Sequence, residues 1–440
     1  MVLYSKLSSE QLHAKFEEIK QLYDEFKDKG LDLNMARGKP SPAQLDMSMD
    51  IFDSVNALNG YSAEDGTDCR NYGNLTGLEE CKTIFAQALG VQNDNIIVCG
   101  NSSLNIMFDY ISQCMTHGTG NGNKPWMLQG KIKFACPVPG YDRHFSILEY
   151  FGIEMINIPM LETGPDMDVL EEVVMDPSVK GMFCVPKYSN PQGYTFSDET
   201  VKRIAALKPA ANDFRIIWDN AYFVHDIYED GDTLLNIFPE AAKRGTEDMI
   251  IEVASTSKVS FPGAGVAVVS ASENNVRMIK QRMNAQIIGH DKINQLRHAR
   301  VLKDANGLRE YMKRHAVILK PKFDIVLQTL ERDLGECGIA TWTKPKGGYF
   351  VSLDVMEGCA KRVVELCRRA GVVLTNAGAT YPYGKDPKDT NIRIAPSFPS
   401  LDELRQAMVV LCLAVKLAAL EKLIDEEKFQ ANIKSEDRYS

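Results

Sequence analysis

The sequence predicts an α/β fold: a large domain with a mainly parallel seven-stranded sheet between helices, plus a smaller α+β domain. Three observations predict it. Seven short, nearly all-apolar segments recur between Asn95 and Ser270, as strands covered on both faces require. Helical patterns separate the first five, the alternation that builds parallel sheets. Past about Asn306 the alternation gives way to a long helix, short strands split by a glycine turn, and further helices.

In chain order, Leu12, Phe16, Ile19 and Leu22 fit one face of an amphipathic helix. That helix and the chain to residue 45 are expected to join the smaller domain. The large domain is expected over residues 46–305. Its strand candidates are Asn95–Cys99, Ile132–Cys136, Glu154–Ile158, Gly181–Val185, Arg215–Asp219, Met249–Val253 and Val266–Ser270. Ser102–Cys114 and Asp198–Leu207 read as helices between them. The small C-terminal domain, 306–440, opens with a helical stretch to about Leu334. Strands follow near Ala340–Thr343 and Tyr349–Asp354, split by Lys346-Gly347-Gly348. A helix near Cys359–Arg369, a strand at Asn391–Ala395 and a long last helix complete it. Ser400-Leu401-Asp402-Glu403 fits a capping box for that last helix, and the polar tail after about Lys428 is expected to fray.

The formal net charge of -9 argues against nucleic acid as a partner, since phosphate binding needs a basic surface. No stretch is long and apolar enough to span a bilayer, and the opening residues lack a signal core, so a cytoplasmic protein is expected. The ten cysteines form no CxxC pair and read as small buried hydrophobes, with a lone catalytic cysteine as the alternative. The seven histidines form no HxxxH or HxH cluster, so no metal site is expected.

Five segments carry chemistry. Lys258 lies in Ala254-Ser255-Thr256-Ser257-Lys258, between two apolar strands and among hydroxyl residues. A desolvated lysine there can form an imine, whereas the plain alternative is a loop lysine. Asp219 ends the strand of Ile216-Ile217-Trp218-Asp219-Asn220-Ala221-Tyr222, where a buried carboxylate could pair with a protonated ring nitrogen or simply cap a helix. Asn190, in Ser189-Asn190-Pro191-Gln192-Gly193, and Tyr222 could donate to a phenolate oxygen, although Asn-Pro and Gly also make an ordinary turn. Cys99-Gly100-Asn101-Ser102-Ser103 joins a strand to a helix, and free N–H groups with serine hydroxyls there can cradle an anion or merely cap the helix. Arg393, inside the apolar strand Asn391-Ile392-Arg393-Ile394-Ala395, is costly unless paired. Its planar fork suits a substrate carboxylate, with a structural salt bridge as the alternative.

The order of these segments, with Pro139-Gly140-Tyr141 between the first two strands' loops, resembles the class I aminotransferases, pyridoxal-phosphate (PLP) enzymes of fold type I. The likeness runs from about Asp32 to about Leu420. It implies that Lys258 is the Schiff-base lysine and proton shuttle and that Asp219 partners the pyridine nitrogen. Asn190 and Tyr222 would donate to the ring oxygen and Tyr141 would stack on the ring. Asn101, Ser102, Ser103, Ser255 and Ser257 would hold the phosphate. Tyr72, in Asn71-Tyr72-Gly73-Asn74, would reach the phosphate of a neighbouring subunit, which implies a homodimer with shared sites. Arg393 and Gly38, in Arg37-Gly38-Lys39-Pro40, together with Asn190, would bind the substrate.

Two departures stand out. The arginine that the family places about eight residues after the lysine is absent from Phe261-Pro262-Gly263-Ala264-Gly265-Val266-Ala267, and Lys292 or Arg297 is expected to replace it. Pro186-Lys187-Tyr188 is unusual before Asn190. With Asp142-Arg143-His144-Phe145 and Asp291-Lys292-Ile293-Asn294-Gln295-Leu296-Arg297-His298, it resembles a divergent bacterial branch of aspartate aminotransferases. The implied reaction is ping-pong amino transfer through pyridoxamine phosphate, between aspartate or glutamate and 2-oxoglutarate or oxaloacetate. The distal carboxylate would go to Arg37, Lys39, Lys187 or Arg297. A PLP-dependent β-elimination lyase, an aminotransferase of another amino acid and a non-catalytic PLP-binding sensor remain as alternatives.

Overall fold

The computed structural model describes residues 3–120 and 122–436. They form two compact units. One is Pro40–Ile318 with Lys346–Gly348, and the other comprises the described residues of Met1–Lys39, Leu319–Pro345 and Tyr349–Ser440. The chain therefore passes between units at 39/40 and 318/319, against the expected 45 and 305.

The larger unit is built on one eight-stranded sheet. Its strands are β1 (Ile96–Val98), β2 (Lys133–Val138), β3 (Glu154–Leu161), β4 (Gly164–Pro165), β5 (Val179–Cys184), β6 (Arg215–Asp219), β7 (Ile250–Ser255) and β8 (Ala267–Ala271). All seven expected strands are present, and the eighth, β4, is a two-residue edge too short to leave a pattern. The spatial order is β1-β8-β7-β6-β5-β2-β3-β4. The run β7-β6-β5-β2-β3 is parallel throughout, while β8 is antiparallel to both its neighbours. Strand β1 thus points the same way as β7. The loops leaving β1, β2, β5, β6 and β7 all emerge at one edge, where α/β sheets place their ligands.

Strands β5, β6 and β7 are buried over every residue, which explains their largely apolar composition. Each Ile or Val so buried contributes roughly 1.5–3 kcal/mol. One face packs Ile216, Trp218 and Ile250 against the helices Met167–Val173, Asp198–Ala205 and Ile237–Ala242. A second cluster joins Val98, Ala254 and Val268 to the helices Glu79–Leu89 and Lys292–Leu302. At the sheet's opposite edge the buried cations are satisfied. Lys180 pairs with Asp213 at 2.9 Å, and Arg215 donates to Tyr110 Oη, Phe214 O and Thr119 O.

In the smaller unit the strands β9 (Ala340–Trp342), β10 (Val351–Val355) and β11 (Asn391–Ile394) form an antiparallel sheet with β10 in the centre. Leu33–Asn34 pairs with Val372–Val373 as a parallel two-residue ladder that the sequence does not signal. The N-terminal helix is Ser9–Lys27, with a capping box at Ser8. Leu12 and Ile19 are buried as expected, but Leu22 turns outward. Tyr23 takes the inner position because its hydroxyl reaches Leu366 O at 2.9 Å. The last helix, Leu401–Glu436, opens with the expected reciprocal bonds between Ser400 and Glu403. Helical turns continue past Lys428 to Glu436; residues 437–440 of the tail expected to fray lie outside the described residues. No helix among the described residues is long and apolar enough to cross a membrane.

Candidate active site

Asp219 is the last residue of β6 and only 2% exposed. Its Oδ2 lies 2.9 Å from His144 Nε2, so the imidazole N–H donates to the carboxylate. Its Oδ1 is buried with no hydrogen-bond partner among the described residues. A buried carboxylate oxygen left so is costly, and at a sheet's ligand-binding edge it marks a place for an incoming N–H. His144 is fixed by its surroundings: it stacks on Phe183 at 4.6 Å and meets the Tyr141 ring edge-on at 5.0 Å. Tyr141 is the N-cap of the helix Asp142–Tyr150, which carries His144. Tyr141, His144, Phe183 and Asn190 line one small cavity, so the loops after β2 and β5 converge beside Asp219.

Lys258 lies in a turn three residues beyond β7 and is half-buried. Its Nζ stands 4.9 Å from the centroid of the Tyr222 ring. Tyr222 is buried in the loop that follows Asp219. The turn is braced from behind. Thr256 Oγ1 accepts Val266 N–H at 2.8 Å, and Ser260 Oγ lies 2.7 Å from His298 Nε2. Asn294 Nδ2 donates to both Ala264 O and Gly265 O. Burial pushes His298 down to about 4, and burial with the nearby Lys258 ammonium pushes His225 well below the usual imidazole range. Both rings are therefore neutral at pH 7 and add no positive charge beside the lysine.

The segments expected to form the anion cradle lie together. Ser102 caps the helix Ser103–His117 without a side-chain bond to it, which leaves that helix's first N–H groups open. Ser257 Oγ donates to Asn101 O at 3.2 Å, and Ser255 Oγ donates to Ser257 Oγ at 3.0 Å. The loops after β1 and β7 thus meet at that helix N-terminus. The two cations expected to stand in for the missing arginine make these contacts. Lys292 Nζ donates to Gly73 O at 3.0 Å, and the Arg297 guanidinium lies over the Phe52 ring at 5.5 Å.

The remaining expected residues are placed as follows. Tyr72 stands 81% exposed on its loop. Arg393 is buried in β11 of the smaller unit, where Nη2 donates to Thr375 Oγ1 at 3.2 Å and the guanidinium lies 4.8 Å from the Phe350 ring centroid. Gly38 abuts the same ring: a Cβ there would come within 2.5 Å of Phe350 Cζ. Gly38, Phe350 and Arg393 form one packed stack, and only a glycine permits it. Lys187, a candidate for a distal carboxylate, is buried and pairs at 2.9 Å with Asp226, whose side chain is exposed. Nine cysteines are buried and Cys99 is half-buried, all unpaired. Burial pushes the Cys114 thiol up to about 12, so these thiols are packing groups. The described residues contain no cluster of metal-ligating side chains.

His144 is the functional residue that the sequence displays without revealing its role. It stands three positions after Tyr141, one helical turn on, but its partner is 75 residues away. His225, Asn294 and His298 are missed for the same reason.

The chain matches the aspartate amino-transferase family over residues 7–427. It is 45% identical to a putative aminotransferase of Mycolicibacterium smegmatis over 96% of this chain and 100% of that protein. It is 45% identical to an aspartate aminotransferase of Corynebacterium glutamicum, covering 94% and 95% of the two chains. The crystal structure of an aspartate transaminase from C. glutamicum superimposes with a TM-score of 0.93 at 44% identity, over 96% of this chain and 99% of that one. A match of this length at this identity, joined to the lysine, aspartate and anion cradle on one sheet edge, leaves a single assignment: the chain belongs to the aspartate amino-transferase family.

Proposed function

We propose that this enzyme moves an amino group between aspartate or glutamate and 2-oxoglutarate or oxaloacetate, using PLP held on Lys258. The observation that carries the reading is the unpartnered Oδ1 of Asp219, kept open by His144 on the same sheet edge as Lys258. The residues present fit the cofactor. Asp219 Oδ1 would accept from a protonated ring nitrogen, the N-terminus of Ser103–His117 with Ser255 and Ser257 would take the phosphate, and Lys258 Nζ would take the aldehyde carbon. When bound, PLP supplies the electron sink for carbanion chemistry at the substrate's α-carbon.

The chain's own residues do the rest. Asp219 holds its negative charge against the ring nitrogen because His144 fixes Oδ2 and leaves Oδ1 free to accept. Tyr222 and Asn190 donate to the ring oxygen. As a free amine, Lys258 Nζ would accept the substrate's α-proton and return a proton across the site. The neutral His225 and His298 keep added positive charge away from that amine. Arg393 takes the α-carboxylate with its planar fork, with Phe350 and Gly38 fixing its position. The 45% identity to the C. glutamicum aspartate aminotransferase supports the choice of dicarboxylic substrates. Tyr72 would complete the phosphate site of a second copy, making the working form a homodimer. Ten unpaired cysteines suit a reducing cytoplasm.

The test is the visible absorption of the PLP-loaded protein during titration with L-aspartate. Loss of the cofactor's long-wavelength band, reversed by 2-oxoglutarate, is the expected result. Release of ammonia with a 2-oxo acid and no reversal would make the protein a lyase. No visible band after addition of PLP would remove the cofactor assignment.

A further inference from the structure

The larger unit contains a cavity of about 420 Å³ that the reaction does not use. It opens beneath the face of the sheet opposite the Asp219 carboxylate. Trp218 of β6 and Glu252 of β7 are register partners, so their side chains share a face, while Asp219 between Trp218 and Asn220 points the other way. Trp218, Asn220 and Glu252 line this cavity, and its size lies in the range of small-molecule sites.

The floor is unfinished in a specific way. Asn220 Nδ2 donates to Glu252 Oε1 at 2.9 Å. Glu252 Oε2 and Asn220 Oδ1 are both buried with no hydrogen-bond partner among the described residues, on residues that are only 4% and 6% exposed. With Glu252 ionised both atoms are acceptors, so a bound group that donates two N–H bonds would satisfy them. The charges point the same way. Lys187, at the side, is neutralised by Asp226 and also donates to Phe223 O. Of the other charged groups facing the cavity, Glu229 and Asp232 are anionic. Only Arg309 opposes them, and its Nη1 donates to Asn306 Oδ1. Trp218, Leu234 and Leu235 add apolar wall for a hydrocarbon body.

We propose that this cavity is a second binding site, separate from the Lys258 site, for a small organic ammonium ion that gives two N–H bonds to Glu252 Oε2 and Asn220 Oδ1. Burial pushes the Glu252 carboxyl up to about 7, so a bound cation favours its ionised form and expels its proton.

The test is calorimetric titration of the PLP-loaded full-length protein with pyrrolidinium chloride at pH 8. Pyrrolidine is almost wholly protonated at pH 8 and so a poor nucleophile, and the cofactor spectrum reports any iminium it forms at the carbon that Lys258 would hold. The expected result is saturable binding at one site per chain with an unchanged cofactor spectrum. N,N-dimethylpyrrolidinium, which has the charge but no N–H, should bind at least about tenfold more weakly, as should pyrrolidinium to Glu252→Gln. Should Glu252→Gln fail to fold, Thr233→Trp at the exposed rim should block binding. Titrations of the unaltered protein at pH 7 in buffers of differing ionisation enthalpy should then show release of on the order of half a proton. Absence of saturable binding would mean a water-filled void and overturn the proposal. Equal binding of the quaternary ion, unweakened binding to Glu252→Gln, or zero proton release would overturn the assignment of the two acceptors.

Discussion

Replacing Asp219 by Asn should separate what the carboxylate does for the reaction from what it does for the fold. The side chain is 2% exposed, one oxygen accepts from His144, and the other is unpartnered. Asn is the same size and can still accept from His144, so the change removes the charge and turns the open acceptor into an N–H donor. A buried group that loses a charged partner costs about 2–5 kcal/mol. Taking about 3–4 kcal/mol for the ring nitrogen's partner, kcat/KM should fall by roughly two to three decades, at about 1.4 kcal/mol per decade. The cofactor-free protein should behave in the opposite sense. It carries a buried carboxylate with one oxygen unsatisfied, so the neutral amide should leave its thermal midpoint unchanged or raise it. The assays are steady-state kinetics with aspartate and 2-oxoglutarate, and a melting curve without PLP. A variant within about threefold of the parent in kcat/KM would refute the reasoning, because a buried charge facing the reacting ring cannot be that inconsequential. A large fall in the cofactor-free midpoint would equally refute it, by making Asp219 a structural residue.

Further expectations concern four other positions. His144→Phe keeps the stack on Phe183 but leaves both Asp219 oxygens unpartnered; kcat/KM should fall by about tenfold or more, and unfolding should show a loss of about 1–3 kcal/mol. Lys258→Ala should still bind PLP, seen by equilibrium dialysis, yet show no multiple turnover with aspartate; near-parental turnover would remove its role as proton carrier. Gly38→Ala puts a methyl 2.5 Å from Phe350 Cζ, so the ring under Arg393 must shift; KM for aspartate should rise with a stability loss of about 1–3 kcal/mol, and an unchanged KM would detach that stack from substrate binding. Glu252 has an ordinary pKa near 4.5 when unfolded and about 7 in the fold, so the folded state holds its proton more tightly. Stability should therefore be full below pH 4.5 and decline by about 3 kcal/mol between pH 4.5 and 7; Glu252→Gln should gain that much on the parent between pH 5 and pH 8 in denaturant titrations.

What the sequence displays and what it hides divide along the range of the interactions. Lys258, Asp219 and the Gly100–Ser103 loop are legible because each follows an apolar strand directly, and the strand's pattern marks its end. Their convergence follows from topology: six strands of the sheet point the same way, so the loops that leave them share an edge. Contacts made across that edge leave no local trace. His144 looks like any polar residue on a short helix until the fold sets Asp219 beside it, and His298 looks like a core histidine until Ser260 faces it. The same limit misdirects the reading of cations. Lys187, three residues past a buried strand, invites a substrate carboxylate, but it also pairs with Asp226, 39 positions on; Lys292 and Arg297 make further contacts with Gly73 and Phe52. Short elements fail for a different reason, since two residues at Leu33–Asn34 or Gly164–Pro165 hold no period to detect. The passage between units at 318/319 lies inside the unbroken helix Ala305–Leu334, where helical spacing continues on both sides and nothing in composition changes. The order of strand-ending motifs therefore identifies the chemistry, while the atoms that tune it are chosen by partners far away in the chain. Asp219 combines both: its position is set by its own strand, and the oxygen left open for the reaction is set by a histidine on another element.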